Sequence, residues 1–430
     1  MKLPFWPNPK GYRDISLGLS RIHNLLERIS NPHRNLPPTI HVSGTNGKGS
    51  TIAFLNNILQ KSGYKIHIYT SPHLVEFNER IVLSGQKISD EFLNECLTTC
   101  QEACEIEPKI EPTFFEGITA AAFLAFSKIK ADFLLLEVGM GGRLDATNVI
   151  TKNLCSIITP ISFDHTEFLG NDLSEIAFEK SAIIKKNCPV FVGKQKPQAL
   201  KIIKNYAKKM NSEIKVFGED FDVEIIKDGW NFLDKKKHKK ILLPFPTFLT
   251  GTHQIENASL ALSSIISQNL NLVKENTIKS AITSATWPAR LQKINFGKFF
   301  TKISKNYELF LDGSHNLAGA ATIKEFLQKN FSKKRILIFS MLKDKNCQGF
   351  LNEIKDEIDF LISLKISEEP KSRNTNEIAE ISTNLKIKNY QAKNLDEAFK
   401  KINSLNIEDE SLILVCGSLY LAGEFLTKNN

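Results

Sequence analysis

Apolar residues at Ile15, Leu19, Ile22, Leu26 and Ile29 recur every three or four positions, which predicts an amphipathic helix. The prolines of NPHRNLPP end it before the short strand-like run TIHV. A Gly-rich turn follows, and then Ile52, Leu55, Ile58 and Leu59 mark a second helix that stops at Gly63, a residue suited to a helix C-terminus. The order is helix, strand, glycine turn, helix.

The alternation continues with the strand-like YKIHIYT, helices over 88–105 and 115–129, the apolar run DFLLLEV and the strand CSIIT near 154–159. Strands that are apolar at every position are buried on both faces, so these predict a parallel sheet sandwiched between helices. Between 220 and 250 the pattern shifts to short strands and basic residues, followed by helices around 252–268 and 274–284. After Trp287-Pro288 the alternation restarts, with ELFL, RILIF, DFLISL and SLILV as strands. The expected class is α/β: an N-terminal P-loop parallel-sheet ATPase domain over 1–290 and a smaller Rossmann-like α/β domain over 291–430. The boundary falls near 288–297, with no internal repeat and no low-complexity linker.

Composition adds limits. A chain of 430 residues that is 42% hydrophobic and 24% charged is long enough for two or three domains and lies far from disorder. Lys plus Arg exceed Asp plus Glu by 56 to 47, and the resulting +9 is spread through the chain, which suits small anions. The one dense basic block, Lys235 to Lys240, reads as a solvated hairpin tip or loop, so nucleic acid is not an expected partner. MKLPFWPNPK lacks the apolar core of a secretory signal, and no run reaches the ~18 apolar residues that span a bilayer. A cytoplasmic protein without membrane contact is expected. Seven scattered cysteines with no C-x-x-C read as reduced thiols. Cys96, Cys100 and Cys104 share one helical stripe, and a buried core stripe is favoured over a metal site.

The segment His41-Val-Ser-Gly-Thr-Asn-Gly-Lys-Gly-Ser50 lies between a strand and a helix, where N–H groups at the helix start can cradle an anion. Lys48 is placed to reach outer phosphates. The strict pattern G-x-x-x-x-G-K-[ST] fails, because Val42 occupies the first glycine position and Gly49 stands where a metal-binding hydroxyl belongs. Another oxygen must then hold the metal. Candidates leave strand ends on the same side: Glu137 after DFLLL, Ser71 and His73 in TSPHL, and Asp164 and His165 in SFDHTEFLG.

These segments, taken in order, resemble the folate branch of the Mur ligase superfamily, the dihydrofolate and folylpolyglutamate synthases. The matching motifs are LGLSRI, HVSGTNGKGS, TSPHL with NERI, TFFEGITAAA, EVGMGGRLDATN, ISFDHTEFLG, IAFEKSAIIK, GTHQIENA, WPAR, DGSHN and CGSLYLAGE. The resemblance implies an ATP-dependent ligase that joins L-glutamate to dihydropteroate, and to folate or tetrahydrofolate polyglutamates, through an acyl phosphate. It implies a first domain that binds ATP and folate and a C-terminal glutamate-ligase domain. Thr45, Asn46, Gly47 and Lys48 would hold the phosphates, and Asn257, Arg290 and Asp312 the rest of ATP.

By the same resemblance Ser71, Glu137 and His165 ligate magnesium, and Lys180 matches a lysine carried as a carbamate that serves a second magnesium. His315 matches a residue near the transferred phosphate. Three segments would line the pterin site: Ile15-Ser16-Leu17, Thr113-Phe114-Phe115-Glu116 and Leu144-Asp145-Ala146, with Asp145 accepting N–H bonds from the heterocycle. GRLDATN resembles the bifunctional members, and a synthase that only extends the glutamate tail is the alternative. A monomer is expected. Two departures stand out: Leu317 follows DGSHN where relatives often carry proline, and 21 residues separate Arg290 from Asp312.

Overall fold

A computed structural model describes residues 4–7, 16–367, 369–405 and 409–429. Ile15 lies outside the described residues. The rest divides into two compact units: the first runs to Thr247 and includes Gln254–Thr286, and the second holds Phe248–His253 and continues from Trp287. The sequence reading had kept residues 248–253 and 287–290 with the N-terminal domain.

The first unit opens with α1 (Ser20–Arg28), β1 (Thr39–Ser43), α2 (Lys48–Lys61), β2 (Ile66–Tyr69), β3 (Ile81–Leu83) and β4 (Gln86–Lys87). Then come α3 (Asp90–Glu105), α4 (Phe114–Lys128), β5 (Phe133–Glu137), β6 (Cys155–Ile158), α5 (Thr166–Leu169) and α6 (Leu173–Ser181). β7 (Val190–Val192), α7 (Pro197–Lys209) and β8 (Ile214–Val216) complete an eight-stranded sheet in the order β4, β3, β2, β5, β1, β6, β7, β8. Every residue of β1 and β5 is buried, including the polar Thr39, His41 and Ser43 of β1 and Glu137 of β5. Along the order from β2 to β8 the pairings are parallel, while β3 pairs antiparallel with both β2 and β4 at the edge. β2, β5, β1 and β6 are neighbours, so the loops leaving their C-terminal ends meet at one edge. That edge carries the chemistry.

The cysteine stripe of α3 is core: Cys96, Cys100 and Cys104 pack in a cluster with α1 and α4, and burial pushes the Cys96 thiol up to about 11. The basic block lies at the turn between β10 (Gly229–Asp234) and β11 (Lys239–Leu243), which pair with β9 (Phe221–Ile226) in a small antiparallel sheet. Two further helices follow, α8 (Thr252–Ser267) and α9 (Glu275–Ser284).

The second unit holds β12 (Gln292–Ile294), β13 (Tyr307–Leu311), α10 (Leu317–Gln328), β14 (Lys334–Phe339), α11 (Cys347–Ile354) and β15 (Phe360–Ser363). It ends with α12 (Thr375–Asn384), β16 (Asn389–Gln391), α13 (Leu395–Ser404), β17 (Ser411–Cys416) and α14 (Leu419–Asn429). Its strand order is β12, β13, β17, β14, β15, β16, parallel except at β12. The long spacing from Arg290 to Asp312 is the β12–β13 antiparallel pair and its connection. Leu317 opens α10, whose cap is the Asn316 side chain accepting from the Gly319 N–H, so the helix start needs no proline. No helix among the described residues is long and apolar enough to cross a membrane.

Candidate active site

The loop between β1 and α2 is shaped by two glycines. Gly44 (φ +149°) passes so close to Thr159 that a Cβ there would sit 1.8 Å from its Oγ1. Gly47 (φ +90°) caps α2, and a Cβ on it would meet the Asn257 side chain at 2.5 Å. Asn257, buried on α8, therefore lies against the loop. The Thr45 and Asn46 N–H groups donate to the Pro160 carbonyl, and Thr45 Oγ1 donates to the Ser162 carbonyl, tying the loop to the segment after β6. The donors at the start of α2 follow, which have no partner within the helix.

Two lysines converge on this loop. Lys48 Nζ donates to the Gly44 carbonyl at 3.2 Å, and Lys180 Nζ, on α6, donates to the same oxygen at 2.9 Å. Burial, and then the Lys48 charge, depress Lys180 to about 7. The Glu137 carboxylate at the end of β5 stands 4.0 Å from Lys48 Nζ and accepts the Ser71 N–H at 3.1 Å. Ser71 and Glu137 are thus brought together. His165 follows β6 in left-handed backbone (φ 51°), with Nε2 4.0 Å from Asp164. Among the described residues no three His, Cys, Asp or Glu side chains group as a metal site. The expected trio has two such groups plus a hydroxyl. Its donor set of hydroxyl, carboxylate and imidazole, beside a buried carboxylate at a phosphate-type loop, fits a hard divalent cation.

The segments expected to line a heterocycle site also meet. Arg21 of α1 donates to the Ser16 carbonyl and pairs with Glu116 at 2.9 Å, while Glu116 and Thr113 form a reciprocal cap on α4. Glu116 Oε1 stays buried without a partner. Leu17 is exposed, Phe114 is buried and stacks edge-on to Phe77, and the Phe115 ring lies where a Cβ of Gly139 would be. Phe115 also faces Tyr69 across 6.1 Å. Leu144 is half-buried, and Asp145 and Ala146 are buried. Asp145 accepts from the Met140 N–H, the Thr147 N–H and the Thr147 hydroxyl, so it organises its own loop.

In the second unit Arg290 sits between Ala289 and Leu291, both in left-handed backbone at φ 55° and 45°, a strained stretch of the kind found at ligand sites. Asp312 holds this bend through the Leu291 N–H and accepts from Ser314 N. A Cβ on Gly313 would lie 2.9 Å from Arg290, so Arg290 and Asp312 belong to one cluster. His315 bonds through Nδ1 with the Gly313 carbonyl. His253, which sequence reasoning passed over, is half-buried in the same cluster and interacts with Asp312 and Arg290. Two contacts within the first unit were also not anticipated: Arg80 donating to His73 Nδ1 at 2.8 Å, and His41 meeting Thr147 at 2.9 Å. For His41 the signal was a polar residue inside a buried strand, while His73 had already been singled out beyond the end of β2.

A glycine loop, a lysine pair and a carboxylate at a parallel-sheet edge define a nucleotide-using α/β protein. The Mur ligase middle domain matches residues 42–265, and the dihydrofolate synthetase C-terminal domain matches 292–428. The dihydrofolate synthase/folylpolyglutamate synthase of Bacillus subtilis (strain 168) is 32% identical over 95% of this chain and 94% of its own length. Escherichia coli FolC in complex with DHPP and ADP superposes with a TM-score of 0.84, is 28% identical and covers 96% of this chain and 94% of that one. A bifunctional folylpolyglutamate synthase/dihydrofolate synthase with Mn, AMPPNP and L-glutamate bound gives 0.83 at 26% identity, covering 96% and 94%. The chain belongs to the dihydrofolate synthase/folylpolyglutamate synthase family of Mur ligases.

Proposed function

We propose that the protein uses ATP to join L-glutamate to dihydropteroate, giving dihydrofolate, and to extend the glutamate tail of reduced folates. The observation that carries this reading is the convergence of Lys48 and Lys180 on the Gly44 carbonyl, with Glu137 at 4.0 Å from Lys48. An incoming polyphosphate would draw both ammonium groups from that carbonyl. Thr45, Asn46, Gly47 and Lys48 hold its phosphates, and Asn257, Arg290 and Asp312 bind the remainder of ATP. His315 acts near the transferred phosphoryl group.

In the first step a substrate carboxylate oxygen takes the γ-phosphoryl group and ADP leaves. In the second the glutamate amine attacks the acyl carbon and phosphate leaves. Positive charge placed in advance by Lys48 and the α2 start favours both steps. Ser71, Glu137 and His165 would hold a divalent cation, which supplies charge neutralisation for the phosphates. We propose two magnesium ions in all. Lys180 would serve the second as a carbamate: at about 7 much of it is neutral amine near neutral pH, the form that adds carbon dioxide. The pterin lies against Ser16-Leu17, Thr113 to Glu116 and Leu144 to Ala146. Every role is supplied within one chain, which supports a monomer, and we propose that it works in the cytoplasm without a nucleic-acid or membrane partner.

Dihydropteroate labelled with oxygen-18 in its carboxylate tests the route. The proposal expects one labelled oxygen in the released phosphate. Label-free phosphate alongside dihydrofolate would overturn it.

A further inference from the structure

β2 ends at Tyr69, and the four residues after it, Thr70 to His73, bring Ser71 to the end of β5, where its N–H meets the Glu137 carboxylate. Beyond them the chain is held for a visible reason. Glu79 accepts the N–H groups of Leu74, Val75 and Glu76 at 2.8, 3.2 and 2.8 Å and binds those residues into one unit. What must still be fixed is the short turn between the strand and that unit.

Arg80 fixes it from both sides. Its carbonyl accepts the Thr70 N–H at 3.0 Å, which carries the β2–β3 ladder one step past Tyr69 and Ile81. Its Nε donates to His73 Nδ1 at 2.8 Å. A guanidinium only donates, so Nδ1 accepts, the ring is neutral and Nε2 carries the proton. Nε2 is buried without a partner, so among the described residues the bond from Arg80 is the ring's one hydrogen bond. Arg80 itself is buried, its guanidinium 5.4 Å from the Phe77 ring centre and 6.0 Å from that of Phe114. A charge is a costly way to fill space between two rings, which an apolar side chain would fill as well. What the guanidinium adds is direction.

We infer that Arg80 is a positioning residue that acts through His73 to hold Ser71 toward a divalent cation at Glu137. This rests on the reading of Ser71, Glu137 and His165 as the cation site. It adds that the hydroxyl required because Gly49 offers none is set by a residue at the far end of its own loop.

The test separates the metal from the nucleotide. Calorimetry gives the affinity for AMPPNP with and without Mn2+, and the ratio of the two is the metal's contribution. His73→Asn keeps an acceptor near the Nδ1 position, whereas His73→Leu keeps bulk and removes the acceptor. A packing role predicts that Leu is tolerated and Asn harmful. The inference predicts the opposite: His73→Leu lowers the ratio about tenfold, the effect of losing a residue that orients a metal ligand, with metal-free AMPPNP affinity within about twofold. His73→Asn stays within about twofold of the parent in both. Arg80→Met lowers the ratio as far as His73→Leu, and the two together lower it no further, because both sever one link. Melting temperatures report any folding loss, and if Arg80→Met does not fold the two His73 variants decide. Ser71→Ala is the reference. If it lowers the ratio and His73→Leu does not, the positioning role is refuted while the cation site stands. If Ser71→Ala itself leaves the ratio unchanged, the cation reading fails and the inference with it.

Discussion

The small antiparallel sheet and the edge of the large one both concentrate lysine, and they treat it in opposite ways. Lys235, Lys236 and Lys240 are exposed, and each meets a carboxylate, Asp222, Asp220 and Glu224, at 2.8, 3.0 and 2.7 Å. Lys48 and Lys180 are largely or wholly buried, share one carbonyl as acceptor, and have one carboxylate at 4.0 Å from Lys48. Positive charge that is solvated and paired keeps a surface soluble. Positive charge gathered out of water beside a glycine turn is waiting for an anion. Counting lysines would have pointed to the hairpin; their environment points to the loop.

Substitutions sharpen this contrast in order of effect. Glu137→Ala abolishes turnover, by about 10³-fold or more, while circular dichroism shows an intact fold. Normal turnover at ordinary magnesium would break the assignment. Lys180→Met comes next, nearly inactive yet melting higher, because a buried ammonium is replaced by an apolar chain of similar length. Its pH dependence has a definite sign. With about 7 in the folded state against 10.5 unfolded, the folded protein binds fewer protons between those values, so stability rises with pH across that window. In carbon-dioxide-free buffer, urea unfolding at pH 7 and pH 9 shows a smaller rise for Lys180→Met than for the parent. A Lys180→Ala variant regains part of its turnover with a short carboxylate in solution, and no rescue argues against the carbamate.

Asp145→Ala has a selective effect. It lowers dihydrofolate formation at least about tenfold more than tail extension, as measured with the two substrates in parallel. Equal losses would place both reactions on one pterin site. Replacing Lys235, Lys236 and Lys240 together by alanine has the least effect, with turnover within about twofold and melting within about 2 °C, because exposed ion pairs contribute little.

The strands that build the site were legible because DFLLLEV carries an unbroken apolar run and TIHV and CSIIT are short segments rich in β-branched residues between helical stretches, the pattern of a sheet covered on both faces. Strands of two or three residues, β3, β4, β7, β8, β12 and β16, carry too few positions to show a period. At the site, Ser71 and Glu137 followed from their places at strand ends. The Asp145 network did not, because its partners His41 and Thr147 are 104 and two residues away and meet only once β1 lies beside β5. Hydrogen bonds between buried side chains on different strands are the part of a fold that spacing along the chain cannot reveal.

The central claim is that this one chain performs two ligations. Purified protein is incubated with ATP, magnesium, L-glutamate and either dihydropteroate or tetrahydrofolate, and the products are separated by mass. The account predicts dihydrofolate from the first and glutamate-extended tetrahydrofolate from the second, each with stoichiometric ADP. Extension of tetrahydrofolate with dihydropteroate left untouched would contradict it and leave a tail-extending synthase in its place.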